Sequence, residues 1–195
     1  MKKTILFILI TTIAISSIAM AVNFSDISGH WAEKFIVAMA DKGVINGYPD
    51  GTYKPDSTLT YGEFIRLIVA ASLPNTDISE LENPSGHWAG TSLTVLENYG
   101  IMEKGLNTEE FLNSKITRIE VVRILSECDI KMRLSSQKTT SLEFTDIKDI
   151  KDSEKTLLRH AVARGVISGD PTGEFRPNAE LKRSEVAKIL YEYSK

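Results

Sequence analysis

The chain has 195 residues, with 23 Lys and Arg against 26 Asp and Glu, and this length predicts one or two domains. Its formal net charge of -3 provides no general positive field for nucleic acid or an anionic membrane surface, so neither is an expected partner. The single cysteine excludes internal disulfides. The fold must therefore depend on a hydrophobic core, which is feasible at this size.

The amino terminus has the pattern of a secretion signal. Lys2 and Lys3 precede an apolar run, and Ala19-Met20-Ala21 supplies small residues of the kind found before a cleavage point. We expect a signal peptide at 1–21 and a secreted mature chain without a membrane span, because the run is shorter than the roughly 20 residues that a spanning helix needs. Cleavage removes two lysines and no acid, which leaves 21 basic against 26 acidic residues and a charge of -5.

The remainder contains three copies of one unit, predicted at 24–72, 81–128 and 144–193 and here called units 1, 2 and 3. An offset of 122 residues relates unit 1 to unit 3: Gly43 to Gly165, Gly47 to Gly169, Pro49 to Pro171, Leu59 to Leu181 and Glu63 to Glu185. An offset of 57 residues relates unit 1 to unit 2: His30 to His87, Trp31 to Trp88, Gly43 to Gly100, Thr60 to Thr117 and Glu63 to Glu120. Ordered matches of this kind predict repeats that pack into one domain.

Each unit is predicted to be a helix, a loop and a second helix. The first helix begins near Trp31, carries Phe35 and Met39 on the same apolar face, and ends at Gly43. The second begins at Thr60-x-x-Glu63, the pattern of a capping box. Its apolar stripe repeats three times: Phe64, Leu67, Ile68 and Ala71; Val121, Ile124, Leu125 and Cys128; Val186, Ile189, Leu190 and Tyr193. Cys128 therefore occupies a core position, and the polar segment 129–143 is predicted to be a surface linker.

These motifs together resemble the S-layer homology (SLH) domain. The resemblance is carried by Phe24-Ser25-Asp26-Ile27, His30-Trp31-Ala32, Gly43-Val44-Ile45-x-Gly47-Tyr48, Gly51-Thr52-Tyr53-x-Pro55, Leu59-Thr60-x-x-Glu63 and Phe144-Thr145-Asp146-Ile147. It implies a mainly α fold, a pseudo-three-fold bundle of three helix-loop-helix repeats. It also implies non-covalent anchoring to the bacterial envelope through an acidic, often pyruvylated, secondary cell-wall polysaccharide held in grooves between units.

By position, the resemblance assigns the ligand-facing arginine to Arg118 in unit 2 and Arg183 in unit 3. A guanidinium fork matches a carboxylate, and the adjoining helix amino terminus favours anions; the alternative is that both arginines are solvated surface residues. Unit 1 has Tyr61 at this position, so we expect a weak, altered or empty groove there and stronger binding after Tyr61→Arg.

Two further pairs of residues are candidate ligand contacts. Trp31 and Trp88 are candidates for stacking on a sugar ring, although an indole also serves as a first-turn core residue. Asp26 and Asp146 are candidates for accepting sugar hydroxyls, or for capping the first helix or a preceding turn. The equivalent glutamates are assigned to helix capping: Glu63, Glu120 and Glu185.

The units also depart from the family pattern. Unit 3 has Lys182 in place of threonine, which removes the hydroxyl cap, and Ser153 where alignment places the tryptophan. No histidine, cysteine or carboxylate spacing suits catalysis, a metal site or a cofactor, so we expect a non-enzymatic module. The alternative function is a self-associating or protein-binding envelope component that does not use carbohydrate, with an envelope protein as its partner.

Overall fold

The computed structural model describes residues 23–132, 134 and 136–195, so the predicted signal peptide at 1–21 lies outside the described residues. These residues form helices α1 Glu33–Asp41, α2 Tyr61–Ser72, α3 Gly90–Asn98, α4 Glu109–Asn113, α5 Arg118–Lys131, α6 Asp152–Ala163 and α7 Arg183–Tyr193. Strand pairing within the described ranges is confined to isolated bridges. The prediction of a mainly α fold is confirmed.

The second helix of each unit, α2, α5 and α7, carries the predicted glutamate in its first turn. In α2 the capping box is complete, because the Thr60 hydroxyl accepts the Glu63 N–H at 3.2 Å and the Glu63 carboxylate accepts the Thr60 N–H at 2.9 Å. In α7 the Glu185 carboxylate accepts the Lys182 N–H at 3.0 Å, and the N-cap has no side-chain hydrogen bond to the helix. The predicted loss of the hydroxyl cap in unit 3 is confirmed.

The first helix of unit 1 begins two residues later than Trp31, and its buried face differs from the prediction. Ala32, Ile36 and Met39 are fully buried, whereas the Trp31 side chain lies outside the core. The helix ends before Gly43, whose φ of 71° is the left-handed conformation that glycine adopts without steric cost. The same ending recurs at Gly100 and Gly165.

The three units pack in a cycle in which each unit contacts the next, as expected of a pseudo-three-fold bundle. In each unit the residue at the arginine position donates its backbone N–H to the next unit: Tyr61 to the carbonyl of Ser114 at 3.0 Å, Arg118 to Ala179 at 2.9 Å and Arg183 to Ser57 at 2.9 Å. Helix contacts follow the same cycle, because α2 packs against α3, α5 against α6 and α7 against α1. Each unit thus places its second helix against the first helix of the next unit.

A buried polar cluster joins the carboxyl ends of α5 and α6. His160 is fully buried; its Nε2 lies 2.8 Å from the Asp129 carboxylate, and its Nδ1 accepts the Lys138 N–H at 2.9 Å. Arg164 also donates to Asp129. The segment predicted as a linker at 129–143 is therefore helical at its start, since α5 continues through Lys131 and buries Asp129.

Cys128 lies in the core as predicted, with its side chain fully buried. Burial raises the pKa of its thiol to about 12, so the sulfur remains protonated at neutral pH. This environment suits a structural residue.

Candidate functional site

The cyclic packing places the side chain of each arginine position against the next unit. There it meets the glutamate that caps the next unit's second helix and an aromatic ring of the next unit. Three equivalent junctions result. Two of them form grooves and the third has different contents.

The unit 1 groove lies at the junction where unit 3 meets unit 1. It is a cavity of about 290 Å³ lined by Asn46, Tyr48, Glu63, Arg66, Trp88 and Arg183, among others. Arg183 is only 7% exposed. Its Nε donates to the Tyr53 carbonyl at 2.8 Å and its Nη1 to the Glu63 carboxylate at 2.9 Å. The guanidinium also lies 4.9 Å from the ring centre of Tyr48 and 4.6 Å from that of Tyr53, within the range of cation–π attraction.

The unit 3 groove is the equivalent site where unit 2 meets unit 3. It is a cavity of about 160 Å³ lined by Trp31, Arg118, Ser168, Glu185, Lys188 and Ile189, among others. The Arg118 Nη1 donates to the Glu185 carboxylate at 3.2 Å, and Nη2 donates to the Ser168 carbonyl at 3.4 Å. Burial lowers the pKa of Arg118, and the Glu185 charge opposes that shift. Its guanidinium lies 5.7 Å from the ring centre of Phe175.

The unit 2 junction, where unit 1 meets unit 2, has the uncharged residue Tyr61 at the arginine position. Tyr61 is 7% exposed and donates its hydroxyl to the Glu120 carboxylate, and its ring centre lies 4.4 Å from that of Phe111. Burial raises the pKa of the Tyr61 hydroxyl, and the hydrogen bond to Glu120 adds to that effect. Tyr61 therefore replaces the arginine as the partner of the glutamate.

Trp31 and Trp88 are the most exposed large apolar side chains among the described residues, at 54% and 61%. The core interpretation of these tryptophans is therefore wrong. Each indole packs beside the histidine that precedes it, His30 or His87, and that histidine accepts the N–H of the residue after the tryptophan at 3.1 Å. Both indoles are thus held in place at the rim of a groove while most of their area stays in solvent.

Asp26 and Asp146 have both carboxylate oxygens engaged by the loops. Asp26 accepts the N–H groups of Tyr53 at 2.8 Å and Lys54 at 2.7 Å, and Asp146 does the same in unit 3. Lys54 has a φ of 57°, a conformation that costs energy for a residue with a side chain. Neither aspartate caps the first helix, because α1 has no side-chain cap and α6 none from its N-cap residue. Their observed role is to hold the loop that carries the aromatic ring.

Sequence reasoning missed two features of the grooves. The glutamates assigned to capping also bind the arginine of the preceding unit, a contact that depends on the cyclic packing. The cations Arg66 and Lys188 were also missed, although the offset of 122 residues already relates them. Arg123, the equivalent residue of unit 2, is half-buried and donates to the Ile101 carbonyl at 3.2 Å.

No cluster of three histidine, cysteine or carboxylate side chains suited to a metal ion occurs in the part of the chain that the structure describes. None of the helices in the described ranges is long and apolar enough to cross a membrane.

Comparison with known proteins supports the repeat motifs directly. Residues 23–65 and 143–187 match the sequence profile of the S-layer homology domain. Two segments of the chain are thus similar to this domain. The matched segments lie in unit 1 and unit 3.

Similar proteins include an S-layer protein, a cellulosome-anchoring protein and an exoglucanase. The chain is 28% identical to S-layer protein EA1 of Bacillus anthracis over 86% of its own length and 20% of that protein. It is 29% identical to the cellulosome-anchoring protein of Acetivibrio thermocellus, over 65% of its length and 30% of that protein. It is also 29% identical to exoglucanase XynX of the same organism, over 88% of its length and 16% of that enzyme. The chain thus spans less than a third of each relative, and the matches point to a location in the cell envelope.

Proposed function

We propose that this chain anchors to the cell wall by binding an acidic secondary polysaccharide, of the pyruvylated kind, in the unit 1 and unit 3 grooves. The observation that carries the proposal is the shared content of these two grooves. Each combines an exposed tryptophan, a partly buried arginine–glutamate pair and a further cation, and all three units contribute to each groove. A flat aromatic face beside a positive charge suits an acidic sugar ring.

The middle segment, 81–128, acts in this proposal as a third repeat of the same family. It supplies Trp88 to the unit 1 groove and Arg118 to the unit 3 groove. Both grooves are therefore incomplete without it. Its own helices α3 and α5 occupy the places in the cycle that α1 and α2 occupy in unit 1.

Two grooves on one body favour a repeating polymer over a free sugar. A polymer that engages one groove presents its next units to the other at high effective concentration, which strengthens overall binding. The module itself performs no chemistry in this proposal. The enzymes among its relatives match it over a small share of their length, 16% for the exoglucanase and 9% for an amylopullulanase.

Co-sedimentation with purified cell-wall sacculi tests the proposal. The mature protein is expected to pellet with intact walls and to remain in solution with walls stripped of secondary polysaccharide by mild acid. Retention by the stripped walls, or by protein-coated beads lacking carbohydrate, would instead favour the assembly or protein-binding function.

A further inference from the structure

We infer that the chain has two anion sites, not three, and that Arg66 and Lys188 supply the uncompensated positive charge that recognises the acidic group of the ligand in each site. This inference rests on the proposed function and specifies its charge recognition. The cations of the three junctions differ in whether a protein group compensates their charge.

The positive charge of each motif arginine is compensated by a glutamate of the next unit. Arg183 binds a carboxylate and a carbonyl, and so does Arg118. Each arginine–glutamate pair carries no net charge, so neither motif arginine gives its groove a net positive charge. Arg118 and Arg183 therefore position the groove walls by joining neighbouring units.

Arg66 and Lys188, by contrast, have no partner among the described residues that compensates their charge. Both side chains are exposed and line their grooves, and neither forms a hydrogen bond or ion pair with any other residue in the described ranges. Each lies one helical turn beyond the capping glutamate, at an equivalent position of α2 and α7. They supply the uncompensated positive charge of each groove, beside Trp88 in one and Trp31 in the other.

The unit 2 junction lacks each of these components. Tyr61 replaces the arginine, and Arg123, the equivalent of Arg66, is turned inward to the Ile101 carbonyl and the Met102 sulfur. The cyclic relation assigns its tryptophan position to Ser153. The two departures in sequence, Tyr61 and Ser153, thus fall at the same junction as the inward-turned Arg123, which leaves the other two junctions intact.

The ligand class that fits is a sugar bearing one accessible carboxylate, such as a pyruvyl ketal. An exposed cation on a flexible side chain gains a charge-assisted contact with such a group. Because the cation is exposed, its contribution should weaken as salt screens it.

Titration calorimetry of the mature protein tests the inference with two probes, a methyl 4,6-O-pyruvyl hexoside and its uncharged methyl ester. Wild type is expected to bind two equivalents of the acid and to bind the ester at least about tenfold more weakly. Arg66→Gln and Lys188→Gln should each remove one equivalent. Lys104→Gln, which neutralises an exposed cation of unit 2 away from both grooves, is the matched control and should change nothing.

The outcomes separate the two proposals. A third equivalent in wild type, or an unchanged preference for the acid over the ester in the Arg66→Gln/Lys188→Gln double variant, would overturn the inference and leave wall anchoring intact. Failure of wild type to bind the acid or to sediment with walls would overturn both.

Discussion

The unit 1 groove and the unit 2 junction are built by the same backbone relation and differ in side-chain content. In both, the residue at the arginine position donates its N–H to the next unit and its side chain reaches the next unit's capping glutamate. The unit 1 groove adds an outward cation and an exposed tryptophan, whereas the unit 2 junction has a tyrosine packed on Phe111. The difference teaches that junction architecture and ligand binding are separable, because the packing between units persists at a junction that lacks the arginine and the outward cation.

The largest expected effect comes from the tryptophans. Replacing Trp31 and Trp88 together with alanine should weaken wall retention about a hundredfold, because both grooves lose their sugar platform and the avidity of two sites is lost with them. Sedimentation with purified walls measures the effect, and circular dichroism should show unchanged helicity. Tyr99→Ala, which removes another exposed aromatic ring, is the control. Equal loss in that variant would contradict the assignment.

The second prediction concerns the contact between each capping glutamate and the preceding unit. Glu63→Gln should lower the free energy of unfolding by about 3 kcal/mol, because it leaves the buried Arg183 without its charged partner. Glu120→Gln should cost about 1 kcal/mol, because Tyr61 donates only a neutral hydrogen bond. Urea denaturation of both variants measures the difference. Equal losses would show that the two junctions are energetically equivalent.

The third prediction concerns conversion of the unit 2 junction into a groove. From the sequence alone, Tyr61→Arg was expected to strengthen binding. The structure changes that expectation, because the tryptophan position still holds Ser153 and Arg123 remains turned inward. Tyr61→Arg alone should leave the stoichiometry at two, and addition of Ser153→Trp should be needed for any further binding. A third equivalent in the single variant would contradict this account.

The smallest expected effect is on alkaline stability. Burial raises the pKa of Tyr61 in the folded state above its ordinary value of 10.0. Its contribution is therefore fully present below the unfolded pKa and is lost as the pH rises above about 10. The free energy of unfolding of Tyr61→Phe should fall less steeply between neutral and alkaline pH than that of wild type. Denaturation at several pH values tests this, and an identical pH dependence would contradict it.

Much of the fold was predictable because it depends on local patterns that repeat. Glycine endings, the Thr60–Glu63 cap and the second-helix stripes are read within a few residues, and all appear in the structure. The grooves were predictable only in part. Their contents come from three units at once, so the pairing of Arg183 with Glu63 and the exposure of Trp31 depend on the order of packing around the centre. The sequence showed each departure singly, and only the cyclic arrangement shows that Tyr61 and Ser153 belong to the same junction.

The most direct test of the central claim is the number of pyruvyl hexoside molecules bound per chain, measured by calorimetry in wild type and in the Arg66→Gln and Lys188→Gln variants. The account predicts two in wild type and one in each single variant. Three in wild type, or two in both variants, would contradict it.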